Sequence, residues 1–207
     1  MKALVLPVAA LLTLAFAPKA HAQFGVKGGL NFAELQGRDG EDASYKTFYH
    51  VGILYQANIL GPLSIQPELQ YSVQGSDLKG AFTDYKTKLH YFTVPVLAKV
   101  TLGPIFVEAG PQFGYLVSAN DEGKVQISNT NGSASYGQVN QSSTGNYKRG
   151  DFSLAAGAGL KFSALSIGAR YVAGLNDIND VKNLSGVNDP KLQNRVFQLY
   201  AAIQFGK

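Results

Sequence analysis

The 207-residue chain has no cysteine, no tryptophan, one methionine and only 15% charged residues. Without cysteine there is no disulfide framework, no thiolate metal site and no cysteine nucleophile. Low charge is unusual, since an ordinary domain is about one quarter charged. The charge has been exchanged for 23 glycines and for many serines, asparagines and glutamines. Mean hydropathy is nevertheless close to zero, at −0.02, and that balance comes from patterning.

Lys2, the apolar run 3–17 and Ala20-His21-Ala22 have the order of a secretory signal peptide with an A-x-A cleavage site. Residues 1–22 are therefore expected to be removed and residues 23–207 to form one domain. Removal takes Lys2 and Lys19 with it, so the formal charge of +4 shrinks. No basic stripe remains for nucleic acid. An exported chain without cysteine points to a bacterial envelope.

Beyond the leader no stretch is apolar for 18 residues, so no transmembrane helix is expected. Apolar residues instead alternate with polar ones in eight segments. The clearest is 63–74, where Leu63, Ile65, Leu69, Tyr71 and Val73 oppose Ser64, Gln66, Glu68, Gln70, Ser72 and Gln74. Ala57 belongs to the apolar face of the preceding segment. Period two with one apolar face means strands with two unlike sides. The polar side carries glycine, serine and glutamine and few of the lysines and glutamates that a water-facing sheet displays. It suits the packed interior of a narrow barrel, which leaves the apolar side to face lipid.

The connections agree. Gly61-Pro62, 101–104 and Ser163-Ala164 are tight, whereas 35–46, 76–85, 118–149 and 176–193 are long and polar, and the two kinds alternate. Short periplasmic turns and long extracellular loops have this order. Tyr49, Tyr71, Phe92, Phe113, Tyr115 and Tyr171 gather toward the long-loop ends, and Phe24, Phe162 and Phe205 toward the turns, as two aromatic girdles. The expected fold is all-β: an eight-stranded, antiparallel, up-and-down transmembrane β-barrel in the bacterial outer membrane, with outer-membrane lipid around it. Pro67, Pro95 and Pro111 fall mid-strand, where each removes a ladder donor and suggests a bulge.

The succession FGVKGGLNFAEL, SIQPELQYSVQG, YFTVPVLAKV, FVEAGPQFGYLVSA, DFSLAAGAGLKF, LSIGARYVAGL and NRVFQLYAAIQF resembles the PorT-like outer-membrane β-barrel family common in Bacteroidetes. The likeness runs the length of the exported chain except for 118–149. It implies a barrel of the OmpA or OmpX kind. Some members of that family are linked to assembly of a protein secretion system.

Glu68, Glu108, Arg170, Lys99 and Lys161 lie on the polar side at similar distances from the tight turns. Desolvated charges must pair, so an interior ion network with Arg170 between Glu68 and Glu108 is expected. Eight strands leave room inside only for side chains, which favours a rigid plug over a conducting path. His50 and His90 are the histidines left after processing, and a lipid-modifying enzyme using His50 is one alternative. No serine–carboxylate partner for either is evident, so no catalytic site is assigned and the chain reads as a non-enzyme. No paired histidines exist, and Asp177 and Asp180 are isolated, so neither metal nor cofactor is expected. Gly157-Ala-Gly159 lacks the third glycine of a nucleotide loop.

The segment 118–149, with Tyr136 and Tyr147 among asparagine, serine and glycine, has the composition of an adaptable contact surface. It is the expected site for a protein partner. The last strand alternates to Phe205 near the C-terminus, which resembles the signal read by the outer-membrane assembly machinery, a transient partner. The function these features favour is a structural or adhesion-type envelope role, with an accessory part in a secretion system as an alternative.

Overall fold

The computed structural model describes residues 22–36, 45–79, 83–130, 133–179 and 192–206. The expected signal peptide lies outside them except for Ala22, and so does Asp180. Nine strands are present among the described residues: β1 (Ala22–Gln36), β2 (Lys46–Leu60), β3 (Leu63–Lys79), β4 (Thr83–Leu102), β5 (Ile105–Thr130), β6 (Ser133–Ser142), β7 (Gly150–Phe162), β8 (Leu165–Gly174) and β9 (Gln193–Phe205).

Eight of them close a ring. β1 pairs with β2 and β9, β2 with β3, β3 with β4, β4 with β5, β5 with β7, and β7 with β8, which pairs with β9, all antiparallel. The ninth, β6, pairs with the far half of β5 and stands outside the wall. Much of the segment 118–149 is thus strand, as the far part of β5 and β6, where a loop was expected. The link 76–85 is likewise mostly ladder, since β3 and β4 stay paired out to Lys79 and Asp84. β6, β5, β4 and the end of β3 form one continuous sheet above the barrel.

Each tight turn puts its first residue at positive φ: Gly61 at 53°, Gly103 at 60° and Ser163 at 53°. That conformation matches the twist of flanking strands in two-residue hairpins. Ser163 occupies it without glycine's freedom.

Burial is inverted relative to a water-soluble barrel. Leu69, Phe92, Val107, Leu154, Ile167 and Leu199 are exposed on the outside, while Gln66, Gln70, Ser72, Glu108, Ser166 and Gln198 are buried. Two residues depart from the expected outward face, because Ala57 and Val73 are buried. The mid-strand prolines do not create bulges. Each instead leaves a two-pair gap on one side of its strand: Pro67 between β2 and β3, Pro95 between β3 and β4, and Pro111 between β4 and β5. Register is the same on both sides of every gap, so the missing N–H is absorbed as lost rungs. The register shifts fall elsewhere, at Asn58/Leu60, His90/Tyr91 and Gln126/Ser128.

Candidate functional site: a filled lumen and a sealed mouth

At the centre of the lumen, Arg170 of β8 reaches two carboxylates on distant strands. Its Nη1 and Nη2 donate to Glu68 Oε2 and Oε1 of β3 at 2.9 and 2.8 Å. Its Nε and Nη2 donate to Glu108 Oε1 of β5 at 2.9 and 2.7 Å. The planar guanidinium fork suits such two-sided bridging in a way an ammonium does not. Gly157 lies between Arg170 and Glu108 in register. A Cβ there would sit 2.6 Å from the Ala169 carbonyl and 3.2 Å from Arg170 Cβ, so glycine keeps the path across β7 open.

Further groups complete the cluster. Lys27 Nζ of β1 donates to Glu68 Oε2 at 3.3 Å and lies 3.6 Å from the centre of the Tyr200 ring. The Tyr200 hydroxyl donates to Glu108 Oε1 at 2.8 Å. Gln66 donates to Glu68 at 2.6 Å, and Gln70 donates to it as well. Lys99 joins at the edge, donating to Gln66 Oε1 at 3.2 Å and sitting over the Phe106 ring. Of the five charged residues expected to form the network, the structure brings together Glu68, Glu108, Arg170 and, through Gln66, Lys99. Lys161 stands apart: it lies nearer the turn end, half-buried, and donates to Gln23 at 3.0 Å. Lys27 and Tyr200 were not singled out from sequence, although both lie on the polar side of their strands.

Above this tier, Asn31 organises an uncharged one. Its amide donates to Ser72 Oγ at 2.9 Å and to the Val73 carbonyl at 2.8 Å, and its Oδ1 accepts from Gln198 at 3.1 Å. His50 Nδ1 lies 2.7 Å from that same Oδ1, which assigns the ring proton to Nδ1. His50 is 2% exposed, walled in by the barrel. His90 points outward, stacked on Tyr71 with its Nδ1 2.7 Å from the tyrosine hydroxyl.

The mouth is closed by apolar groups that sequence alternation did not reveal. Leu35, Leu89, Tyr91, Leu116 and Ala119 line it, and Ile178, from the segment after β8, is fully buried among them. Tyr147 is half-buried against this cluster, so it belongs to the seal and is not displayed as a contact residue. Backbone Tyr147 bridges Asn179. Tyr136 lies on β6, and its side chain is outside the described ones. Asp177 latches the seal: Oδ1 accepts from the Asn179 and Leu192 amides at 3.0 Å each, and Oδ2 from Lys148 Nζ at 2.9 Å. Partial burial pushes its carboxyl up, but the Lys148 ammonium and the two amides outweigh this and hold it below the ordinary carboxylate range. Among the described residues no group of three or more His, Asp or Glu is placed to hold a metal. Gly157 and Gly159 lie within strand β7.

A closed, lipid-facing β-barrel with a filled polar interior is an outer-membrane barrel. The model of the outer membrane protein beta-barrel domain family matches residues 16–180, and the chain belongs to that family. It is a protein of the bacterial outer membrane. No curated protein matches the sequence. Solved structures similar to it include Ail, the attachment invasion locus protein of Yersinia pestis, at 10% identity and TM-score 0.48, over 89% of this chain and 99% of that one. Neisserial surface protein A is similar at 15% identity and TM-score 0.43, over 88% and 97%. The outer membrane enzyme PagL is similar at 15% and 0.42, over 87% and 98%.

Arg170→Met leaves two buried carboxylates short of their main partner and should cost about 3–5 kcal/mol, read by urea unfolding in lipid vesicles. Arg170→Lys should recover little of it, since a point charge cannot span both carboxylates. For Asp177, a lowered folded pKa means that the latch is intact above the ordinary aspartate value of about 3.9 and is lost as pH falls through the lower folded value. Protection of the Ile178 amide, which donates to the Leu192 carbonyl, should therefore hold from neutral to mildly acidic pH in hydrogen exchange. It should be weakened at every pH in Asp177→Asn.

Proposed function

We propose that this barrel is a non-conducting, non-enzymatic envelope protein with an adhesion-type role, carried by the sheet that rises beyond the membrane. One observation carries the reading: the lumen is filled from the ionic tier to the Ile178 seal, while β3–β4 and β5–β6 continue outward as paired strand. Such a filled lumen argues against transport, and among the described residues the projecting sheet is the largest feature offered to the outside. Burial of His50 supports the non-enzymatic reading, because a lipid substrate has no access to its ring. The resemblance to PorT-like proteins supports a second reading, an accessory part in a secretion system, with the same projecting sheet as the contact for a protein partner. The terminal alternation ending at Phe205 is the feature through which the assembly machinery would engage the chain before insertion.

The test compares cells carrying the intact chain with cells in which 121–141 is replaced by a two-residue Asn-Gly turn. Adhesion to matrix-coated surfaces should fall with the shortened variant, at equal surface amounts of folded barrel. Unchanged adhesion with loss of protein secretion would favour the second reading. The purified barrel should show no steady nanosiemens-scale conductance in planar bilayers, and observing one contradicts the closed lumen. An altered lipid A mass spectrum in a deletion strain would contradict the absence of enzymatic activity.

A further inference from the structure

One carboxylate of the lumen has neutral partners only. Asp151, at the start of β7 and one inward step below the seal, accepts from Asn194 Nδ2 at 2.7 Å and from Ser153 Oγ at 3.3 Å. Among the described residues no lysine, arginine or histidine is hydrogen-bonded or ion-paired to it. Two neutral donors do not compensate a carboxylate for the water it has lost.

Oxygens without a hydrogen bond surround it. The Oδ1 of Asn194 sits beside the carboxylate, on the same amide whose Nδ2 makes the 2.7 Å bond, and has no partner. Thr93 Oγ1 and Gln112 Oε1 have none either. Register brings them to one level: Thr93 of β4 pairs with Gly114 of β5, Gly114 pairs with Asp151, and Gln112 pairs with Ser153. Asp151, Asn194, Thr93 and Gln112 are each no more than 4% exposed, so bulk solvent does not satisfy these oxygens.

Gly114 leaves room between them. A Cβ there would meet Asp151 Cβ and Tyr91 Cδ1 at 3.4 Å, an ordinary contact. Gly110 and Gly157, also on inward positions, differ: a Cβ at either would press into a backbone carbonyl. Crowding therefore accounts for glycine at 110 and 157 and does not account for it at 114. The space lies on the rung that joins Thr93 to Asp151.

We propose that Asp151, Asn194, Thr93 and Gln112 hold a singly charged alkali cation in this space. The donors are all hard oxygens, a set suited to alkali or alkaline-earth ions and not to soft metals. One carboxylate balances one positive charge, whereas a divalent ion would leave a buried excess. A water molecule in the same place would bond to the oxygens but leave the carboxylate uncompensated. Tyr91, Leu116 and Ile178 close over the site, so the ion is enclosed as the barrel folds.

The experiment follows urea unfolding and refolding of the full barrel in phosphatidylcholine vesicles, at constant ionic strength, in sodium, potassium or choline chloride. Choline is too large for the space of one side chain. Sodium or potassium should stabilise the barrel over choline, the folding constant rising about tenfold for each tenfold increase of ion above its dissociation constant. Asp151→Asn should abolish that dependence, and Thr93→Val and Gly114→Ala should weaken it, with heat-modifiable gel mobility showing each variant folded. Equal stability in all three salts overturns the proposal. So does an undiminished dependence in Asp151→Asn or, should that variant not fold, in Gly114→Ala. Stabilisation by calcium chloride alone overturns the assignment to a singly charged ion.

Discussion

The contact on which the rest depends is the guanidinium of Arg170 held between Glu68 and Glu108. It joins β8 to β3 and β5 across 102 and 62 residues of sequence. Eight strands enclose a space that side chains alone can fill. A lone charge is costly in so narrow a space, so the inward charges pair across strands, and neutral side chains fill further acceptor positions on the carboxylates. That requirement places glutamines 66 and 70 on Glu68, Tyr200 on Glu108, and glycine at 157 where the side chain must pass. A pair in bulk water would contribute little. In this interior the same pairing is obligatory.

The upper barrel solves the same problem by other means. Above Asn31 and His50 the interior turns apolar, with Ala33, Phe48, Ala155, Val172 and Val196 packed together, and then the mouth seals with Ile178. Most of the interior charge lies at the depth of Arg170, whereas Asp151, buried nearer the mouth, accepts from Asn194 at 2.7 Å, and Lys161 lies nearer the turns. Asp177 holds the seal from outside the bilayer with groups that never enter the lumen. The register shift between His90 and Tyr91 serves the seal, since it lets Leu116, opposite Tyr91, and Ala119, opposite Leu89, both join it.

Much of this was legible in the sequence because strands impose a ruler. Alternation along 63–74 assigns sides, and the tight turns set a common origin. The depths of Glu68, Glu108 and Arg170 could then be compared across strands. Lys27 escaped because β1 does not begin at a turn and so offers no such origin. Lys161 was counted in the network although three residues from its turn is too shallow, and it meets Gln23. The seal was hidden because Leu89, Tyr91 and Leu116 are apolar on the polar side, which weakens the alternation where it would be read. Ile178 lies in a segment with no period at all. The continuation of β5 and β6 was unreadable for a related reason: a two-faced pattern exists only where the two faces meet different solvents, and above the membrane both meet water.

In the eight wall strands the polar side is enclosed in the packed lumen while the apolar side meets lipid. Because the chain has no cysteine, single cysteines report on it without background. The most direct measurement is thiol accessibility at the neighbouring positions Ser166 and Ile167, and Gln198 and Leu199, in the folded barrel in lipid vesicles. Probes at Ile167→Cys and Leu199→Cys should be quenched by brominated acyl chains, and Ser166→Cys and Gln198→Cys should resist a small water-soluble methanethiosulfonate until the barrel is unfolded. Rapid modification of either inward cysteine in the folded protein, or quenching at the inward positions in place of the outward ones, would contradict the account.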